Sequence, residues 1–210
     1  MLIVPIIRLR PESRVKNLGQ PSWTSSDLAL GTPTTANQLS AALAEKPNII
    51  CIWIGTNDLL AFNFPGQEES AGKAFERNID IILRTLSGHG ATLAITMLDD
   101  PALRPGIVDG SYASNYAWYT RSHDHVDDFA RLARRTAEYN RVIKAKAAQY
   151  GAVLVDLPRT GVFHNAKLMS DDGLHPSSRG YQMLANTWLE ALLPVLGYAP
   201  RLQLTLTPGV

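Results

Sequence analysis

Short apolar runs rich in β-branched residues alternate with amphipathic stretches along this chain, and this alternation constrains the fold more than any other feature. The run at 48–54, NIICIWI, is continuous, as expected of a strand buried on both faces of a sheet. A helical spacing follows at Phe75, Ile79, Ile82, Leu83 and Leu86. Strands that alternate with helices predict a three-layer α/β/α domain with a mostly parallel sheet.

The predicted elements begin with a short strand at Val15–Leu18 and end with a helix at Ser178–Leu196. Between them the sequence predicts, in order, a helix at 36–46, a strand at 48–54, a helix at 75–86, a strand at 91–98, an irregular stretch at 99–122, a helix capped by Asp124 and a strand at 152–157. Functional groups in such open sheets gather at the carboxyl ends of the strands. The loops that follow the predicted strands should therefore share one rim.

Length and charge indicate a single domain with no affinity for polyanions. The 210 residues, 45% of them hydrophobic, fit one domain over 1–197, followed by a surface tail at 198–210. A net charge of +1 argues against a nucleic-acid or anionic-membrane binder, because such proteins concentrate basic residues. No apolar run approaches the roughly 20 residues that span a bilayer. The sequence makes no prediction of oligomeric state.

The single cysteine, Cys51, excludes an internal disulfide and every zinc site that needs paired cysteines. It lies in an apolar run and is predicted to be a small buried residue. The amino-terminal MLIVPII is too short for a secretory signal and lacks a basic start. The chain as written is therefore expected in the cytoplasm, and secretion would require a signal upstream of it.

A first candidate for catalysis is the segment Asp172-Gly-Leu-His175-Pro176, between the last predicted strand and the last helix. A serine hydrolase needs an imidazole to accept the hydroxyl proton and a carboxylate to hold that imidazole in the right tautomer. Pro176 turns the backbone of His175 away from helical angles, which helps the ring project from the loop. The other interpretation is a helix start, with Ser177 or Ser178 as the cap and Asp172 closing a turn.

A second candidate, Gly55-Thr-Asn57-Asp58, stands at the carboxyl end of the strand predicted at 48–54. An amide side chain at that place can donate a hydrogen bond to a developing oxyanion. The glycine lets the backbone and a substrate approach closely. Alternatively, Asn57 and Asp58 only cap the turn that follows the strand.

Together the two segments resemble the SGNH/GDSL family of ester hydrolases, whose third block is G-x-N-D and whose late block is D-x-x-H-P. The matched positions are Gly55, Asn57 and Asp58 in the third block, and Asp172 and His175 in the late block. Residues 17–24 approach the second block, N-x-G-x-x-G-x-T. The resemblance covers about 15–195 and implies a flavodoxin-like sheet, ester hydrolysis through an acyl-enzyme, and no metal or organic cofactor.

The resemblance also implies a role for each matched residue. His175 would be the general base and Asp172 would orient it. Asn57, Gly55 and the backbone N–H of Ser22 would form the oxyanion hole. Ser22 stands where the family has glycine, and a left-handed backbone angle there would be costly for serine. The substrate would be a small-molecule ester or a lipid or sugar ester.

The family's first block, which carries the Gly-Asp-Ser nucleophile on the first strand, has no counterpart in this sequence. MLIVPII is too close to Val15 to be that strand with its crossover helix, so we expect the first strand to be missing and the domain to be incomplete at its amino terminus. No nucleophile is assigned, because Ser13, Ser25 and Ser26 lack the strand-to-turn context. The chain is expected to have little esterase activity. The alternative is a non-catalytic binding or structural module with the same fold.

The remaining histidines and tryptophans have alternative interpretations. His123-Asp124-His125 could suggest a metal, but helix capping is the ordinary interpretation and no metal site is predicted. His89 lies between glycines at a helix end, and His164 lies on the rim loop before Asp172, where it could flank the site. Two tryptophans are also considered: Trp53, which is expected in the core, and Trp23, which could line an acyl pocket or simply pack.

Overall fold

A computed structural model describes residues 12–32, 37–61, 68–110 and 125–198 of the chain. Its helices are α1 (Ser25–Leu30), α2 (Gln38–Ala44), α3 (Thr56–Ala61), α4 (Glu68–Leu86), α5 (Pro105–Val108), α6 (His125–Gln149) and α7 (Ser178–Leu192). Its strands are β1 (Ile49–Ile52), β2 (Thr92–Thr96) and β3 (Val153–Val155). Four short 3₁₀ turns lie in the described loops, at Pro101–Leu103, Pro158–Thr160, Val162–His164 and Ala166–Leu168.

The three strands form one parallel sheet in the order β1-β2-β3. Cys51 pairs with Ala94 across the first ladder, and Ala94 pairs with Val153 across the second. Helices pack on both faces of this sheet, so the predicted α/β architecture is confirmed. Because the strands are parallel, the loops that follow them emerge at one edge, which brings residues after 54, 96 and 155 to a common rim.

One face of the sheet is covered mainly by α4 and α6. The side chains predicted to line α4 are all buried there, and the rings of Phe75 and Tyr139 stack with their centroids 3.8 Å apart. Strand residues that alternate along β1 and β2 point to this layer, including Ile52 and Ile95. Burial of these side chains in one cluster fixes α4 and α6 against the sheet.

The opposite face is covered by α7. Its buried residues Leu184, Trp188 and Leu192 pack against Ala94 and Val155 of the sheet. The predicted last helix is thereby confirmed, although it ends at Leu192 rather than at 196. This packing places the amino end of α7 beside the rim, directly after the segment that contains His175.

Several expectations about β1 and its neighbourhood were wrong. Val15–Leu18 forms no strand, because no described strand lies beside it to complete a ladder. β1 is not buried on both faces, since Cys51 is exposed and Trp53 is 38% exposed. On the face that α7 covers, Ile49 packs partly against the α7 layer, whereas Cys51 meets solvent.

Some expectations fall outside the described residues. These are the status of residues 2–7 in the sheet, His123 and Asp124 as caps, part of the irregular stretch (111–122) and the tail from residue 199 onward. Within the described ranges, no helix combines the length and the apolarity that crossing a bilayer requires.

The chain enters α1 through a strained turn. Ser22 has φ of 63°, in the left-handed region that the sequence argument identified as costly for serine. Two residues later, Thr24 caps α1: its side chain accepts a hydrogen bond from the backbone of Asp27, whose carboxylate accepts one from Thr24 N–H. The cap fixes where the helix begins, and the turn at Ser22 brings the chain to that point.

We expect Ser22→Gly to stabilise the protein by about 0.5–1 kcal/mol. Glycine avoids the penalty of about 1–2 kcal/mol for the left-handed backbone angle, and the greater backbone entropy of the unfolded glycine chain offsets part of that gain. Urea unfolding of the two proteins measures the difference. Ser22→Ala is the matched control and should give no gain, since alanine keeps the Cβ that causes the strain. Equal stabilisation by both substitutions would contradict the strain argument.

Candidate active site

The segment from Asp172 to His175 folds as a tight turn organised by one carboxylate. Asp172 Oδ1 accepts hydrogen bonds from the backbone N–H groups of Leu174 and His175, each at 2.9 Å. Asp172 Oδ2 lies 2.7 Å from Nδ1 of the His175 ring. The turn therefore brings the two side chains together at hydrogen-bond distance, as their spacing predicts. With the ring hydrogen on Nδ1, the ring donates to the carboxylate and its Nε2 carries a lone pair.

Ser170 supports the same carboxylate, and the sequence argument did not identify it. Its Oγ lies 2.7 Å from Asp172 Oδ1 and 2.9 Å from the carbonyl oxygen of His175, and its one hydrogen can be donated to either acceptor. Burial alone would raise the pKa of Asp172. Hydrogen bonds from His175, Ser170 and the backbone of Leu174 outweigh that effect and hold the pKa well below its usual range.

Backbone hydrogen bonds fix the turn to the rest of the rim. Ser170 N–H donates to the His175 carbonyl at 2.8 Å, and Ser177 N–H donates to the Leu168 carbonyl at 2.8 Å. Ser177 also caps α7, since its Oγ accepts from Gly180 N–H. Both arrangements are therefore present in this segment: Asp172 pairs with His175, and Ser177, two residues later, caps α7.

The third-block residues lie at the carboxyl end of β1, where the strand continues into α3. Asn57 Nδ2 donates to the carbonyl oxygen of Trp23 at 2.9 Å, which ties it to the turn that contains Ser22. A side-chain amide has two hydrogens, so one donor of Asn57 remains for another acceptor. Gly55 has φ of 114°, and a Cβ there would lie 2.9 Å from Leu98 Cδ1. Only glycine fits that backbone angle and that space.

Asp58 joins a buried polar cluster. Ser25 is fully buried, and its Oγ donates to Asp58 Oδ1 at 2.5 Å while its N–H donates to Asp58 Oδ2 at 2.8 Å. Asn78 Nδ2 donates to Ser25 Oγ at 3.0 Å. Burial raises the pKa of Asp58, and the hydrogen bonds from Ser25 oppose that rise. This cluster links α1, α3 and α4 beneath the turn at Ser22, and sequence reasoning did not identify it.

The described residues form two of the predicted pairings, but none of their serines is placed as the nucleophile. Asp172 contacts His175, and Asn57 contacts the turn at Ser22. No hydrogen bond from a serine reaches Nε2 of His175 within the described ranges. Ser25, one of the serines considered, is buried with Asp58 instead. The described part of the chain also contains no cluster of three or more side chains able to hold a metal ion.

The secondary candidates lie apart from this chemistry. His89 stands between Gly88 and Gly90, both with positive φ, beyond the end of α4, as predicted. His164 ends a 3₁₀ turn on the rim near Asp100, whose pKa is raised by burial against a smaller lowering by the hydrogen bond from Ala102 N–H. Trp53, predicted in the core, instead packs edge-on against Phe163 with ring centroids 6.2 Å apart.

Solved structures share this architecture. The esterase EstA from Pseudoalteromonas sp. superposes with a TM-score of 0.62 and 16% identity, over 93% of this chain and 86% of that one. An acetyl xylan esterase from Geobacillus stearothermophilus gives a TM-score of 0.63 and 19% identity, over 91% of this chain and 78% of that one. At these identities the comparisons establish the fold.

Sequence comparison identifies the family. A multidomain esterase of Ruminococcus flavefaciens is 25% identical over 147 residues, which are 70% of this chain and 16% of that protein. This chain thus spans a small part of the length of that relative. The model of the GDSL-like lipase/acylhydrolase family matches residues 6–183, a range that holds Ser22, Asn57 and the turn from Asp172 to His175. The chain therefore belongs to the GDSL-like lipase/acylhydrolase family of ester hydrolases.

Proposed function

We propose that the rim carries the acid–base and oxyanion parts of a serine-type acyl-transfer site, with His175 as general base and Asp172 as its orienting carboxylate. The contact of 2.7 Å between His175 Nδ1 and Asp172 Oδ2 carries this proposal. A carboxylate on Nδ1 selects the tautomer whose Nε2 can accept a hydroxyl proton. The His175 side chain is 58% exposed, so a reacting group can reach the ring.

Asn57 and the backbone N–H of Ser22 are proposed as oxyanion donors, with Gly55 giving access. The bond from Asn57 to Trp23 supports this assignment, because it holds the amide beside the turn that bears the Ser22 N–H. Donors fixed before reaction stabilise a developing oxyanion without reorganisation, and loss of one such donor typically costs about 10²–10³ in rate.

In the proposed reaction, His175 removes the proton of a serine hydroxyl as its oxygen attacks an ester carbonyl. The oxyanion collapses, the alcohol leaves with the proton held by His175, and an acyl-enzyme forms. His175 then removes a proton from water as the water oxygen attacks the acyl-enzyme, and it returns that proton to the serine oxygen, which leaves as the acid is released. The family acts on small-molecule esters, and a lipid or sugar ester is the proposed substrate class. In this proposal His175, Asp172, Asn57 and the Ser22 N–H supply the acid–base and oxyanion groups. Among the described residues, no serine hydroxyl forms a hydrogen bond with the His175 ring.

We expect the purified chain to hydrolyse a short-chain aryl ester slowly, at no more than roughly 10³–10⁴ times the rate in water. No serine hydroxyl among the described residues contacts His175, so substrate binding and the oxyanion donors would act without an activated nucleophile. Reaction with a fluorophosphonate probe should label no serine stoichiometrically. Robust turnover with one labelled serine would contradict this expectation and identify the nucleophile. Ser170→Ala is the control that separates labelling of the serine beside Asp172 from labelling elsewhere. No turnover above the rate in water would instead favour a non-catalytic module.

The tautomer of His175 gives a test that does not need turnover. We expect the neutral ring to carry its hydrogen on Nδ1, and Asp172→Ala to abolish that preference because the acceptor is removed. Nitrogen-15 NMR of the imidazole rings measures the fraction of each tautomer. The exposed neighbour offers a matched control, Asp171→Ala, which should leave the signals of His175 unchanged. An unchanged tautomer in Asp172→Ala would contradict the orienting role.

The lowered pKa of Asp172 predicts a pH-dependent contribution to stability. Its pKa in the folded state lies below the unfolded value of about 3.9, so the contribution is complete above that value and is lost as pH falls toward the folded-state pKa. We therefore expect the difference in unfolding free energy between the native protein and Asp172→Asn to shrink between pH 5 and pH 3. Urea unfolding at both pH values measures it. Asp171→Asn should show a smaller change, and a pH-independent difference for Asp172→Asn would contradict the assignment.

A further inference from the structure

Arg104 is a buried cation at the rim that the proposed function does not use. It stands between the 3₁₀ turn Pro101–Leu103 and α5, and it is 4% exposed. Asp99, directly before this segment, is 3% exposed. Arg104 Nε donates to Asp99 Oδ2 at 2.7 Å and Nη2 donates to Asp99 Oδ1 at 2.6 Å. The two side chains thus form a bidentate ion pair inside the protein.

The same guanidinium also reaches the turn that bears the proposed base. Arg104 Nη1 donates to the carbonyl oxygen of Leu174 at 3.0 Å, although the two residues are 70 positions apart. The face of the guanidinium lies over the ring of Phe163, with Cζ 4.9 Å from the ring centroid. Arg104 therefore joins the loop after β2 to two points of the loop after β3, at Phe163 and at the turn that contains His175.

A backbone contact beside Arg104 reinforces this connection. Gly106 N–H donates to the carbonyl of Gly173 at 3.0 Å, so two donors from one short segment bind the consecutive carbonyls of Gly173 and Leu174. A Cβ added at Gly173 would lie 2.4 Å from the nitrogen of Gly106. The two backbones are in direct contact, and this leaves the turn no room to move toward α5.

We infer that Arg104 is a positioning residue for the base: it fixes the turn containing Asp172 and His175 at one place on the rim by binding Leu174 while Asp99 holds its own guanidinium. The inference rests on the proposed role of His175. Asp172 determines the internal shape of the turn, whereas Arg104 determines where the turn sits relative to the ends of β2 and β3. A planar fork is required, because one lysine ammonium cannot present two parallel donors to a carboxylate and a third to a carbonyl.

The first test replaces the fork. In Arg104→Lys the amides of Leu174 and His175 should lose about tenfold in hydrogen-exchange protection, the equivalent of one charge-assisted hydrogen bond. The ring of His175 should keep its preference for hydrogen on Nδ1, because Asp172 sets the tautomer within the turn. Arg159→Lys is the matched control, because Arg159 forms an exposed ion pair with Glu190 and its replacement should change neither signal.

Arg104→Lys could unfold the protein, because it leaves the buried carboxylate of Asp99 without its bidentate partner. A second variant avoids this problem. Asp99→Leu combined with Arg104→Met replaces the ion pair with apolar side chains, an exchange that is often neutral for stability. A purely structural ion pair would alter global stability and leave the exchange of His175 relative to the core unchanged. If both variants fold and the amides of Leu174 and His175 keep their native protection, the inference is wrong.

The native protein provides a measurement that needs no variant. Hydrogen exchange in low denaturant should show the amides of Gly106 and His175 opening together, with the same free energy and the same denaturant dependence. Independent opening of His175 would overturn the inference. Failure of the proposed function would give a different result. In that case the ring of His175 in the native protein would show no preference for hydrogen on Nδ1.

Discussion

The carboxylate of Asp172 is the interaction on which the proposed site depends. It accepts hydrogen bonds from a hydroxyl, two backbone amides and the imidazole, all from residues within three positions of it. The same group closes the turn and orients the ring, so the geometry of the base is set where the turn forms. These donors favour the ionised form of Asp172 and lower its pKa, which keeps the acceptor for Nδ1 charged at neutral pH.

The two parts of the site are supported by different kinds of buried polar contact. Beneath Asn57, the hydroxyl of Ser25 and the carboxyl of Asp58 join neighbouring helices through short hydrogen bonds in an apolar layer. Beneath His175, Arg104 is paired with Asp99 and joins the loop after β2 to the loop after β3 through the Leu174 carbonyl. Each nitrogen of Arg104 has an acceptor, whereas Asn78 Oδ1 in the first cluster is buried without a hydrogen-bond partner. A buried polar group without a partner costs about 1–3 kcal/mol, so the contacts that are made matter for stability. Among the described residues of the rim, backbone pairing is limited to the isolated bridge between Met169 and Pro176, so such contacts contribute to its rigidity.

Much of this could be predicted from the sequence, and the failures have physical causes. The layers, the helix spacing of α4 and the meeting of Asp172 with His175 follow from local periodicity and short spacing. The strand expected at Val15–Leu18 and the burial of Trp53 failed, because both depend on what lies alongside in space. Ser170 and Arg104 carried no signal, since a serine and an arginine in a loop have the same appearance whether solvated or bound to a residue far along the chain.

The contact between Gly106 and Gly173 divides the loop after β2 into two parts with different freedom to change. Up to Gly106 the loop is part of the framework, and any side chain at that glycine would push the backbone of Gly173 aside. At Gly110 a Cβ would meet nothing within 4 Å, although its φ of 75° still favours glycine. An exchange of the loop that begins before Gly106 would therefore carry its backbone change directly into the turn that contains His175.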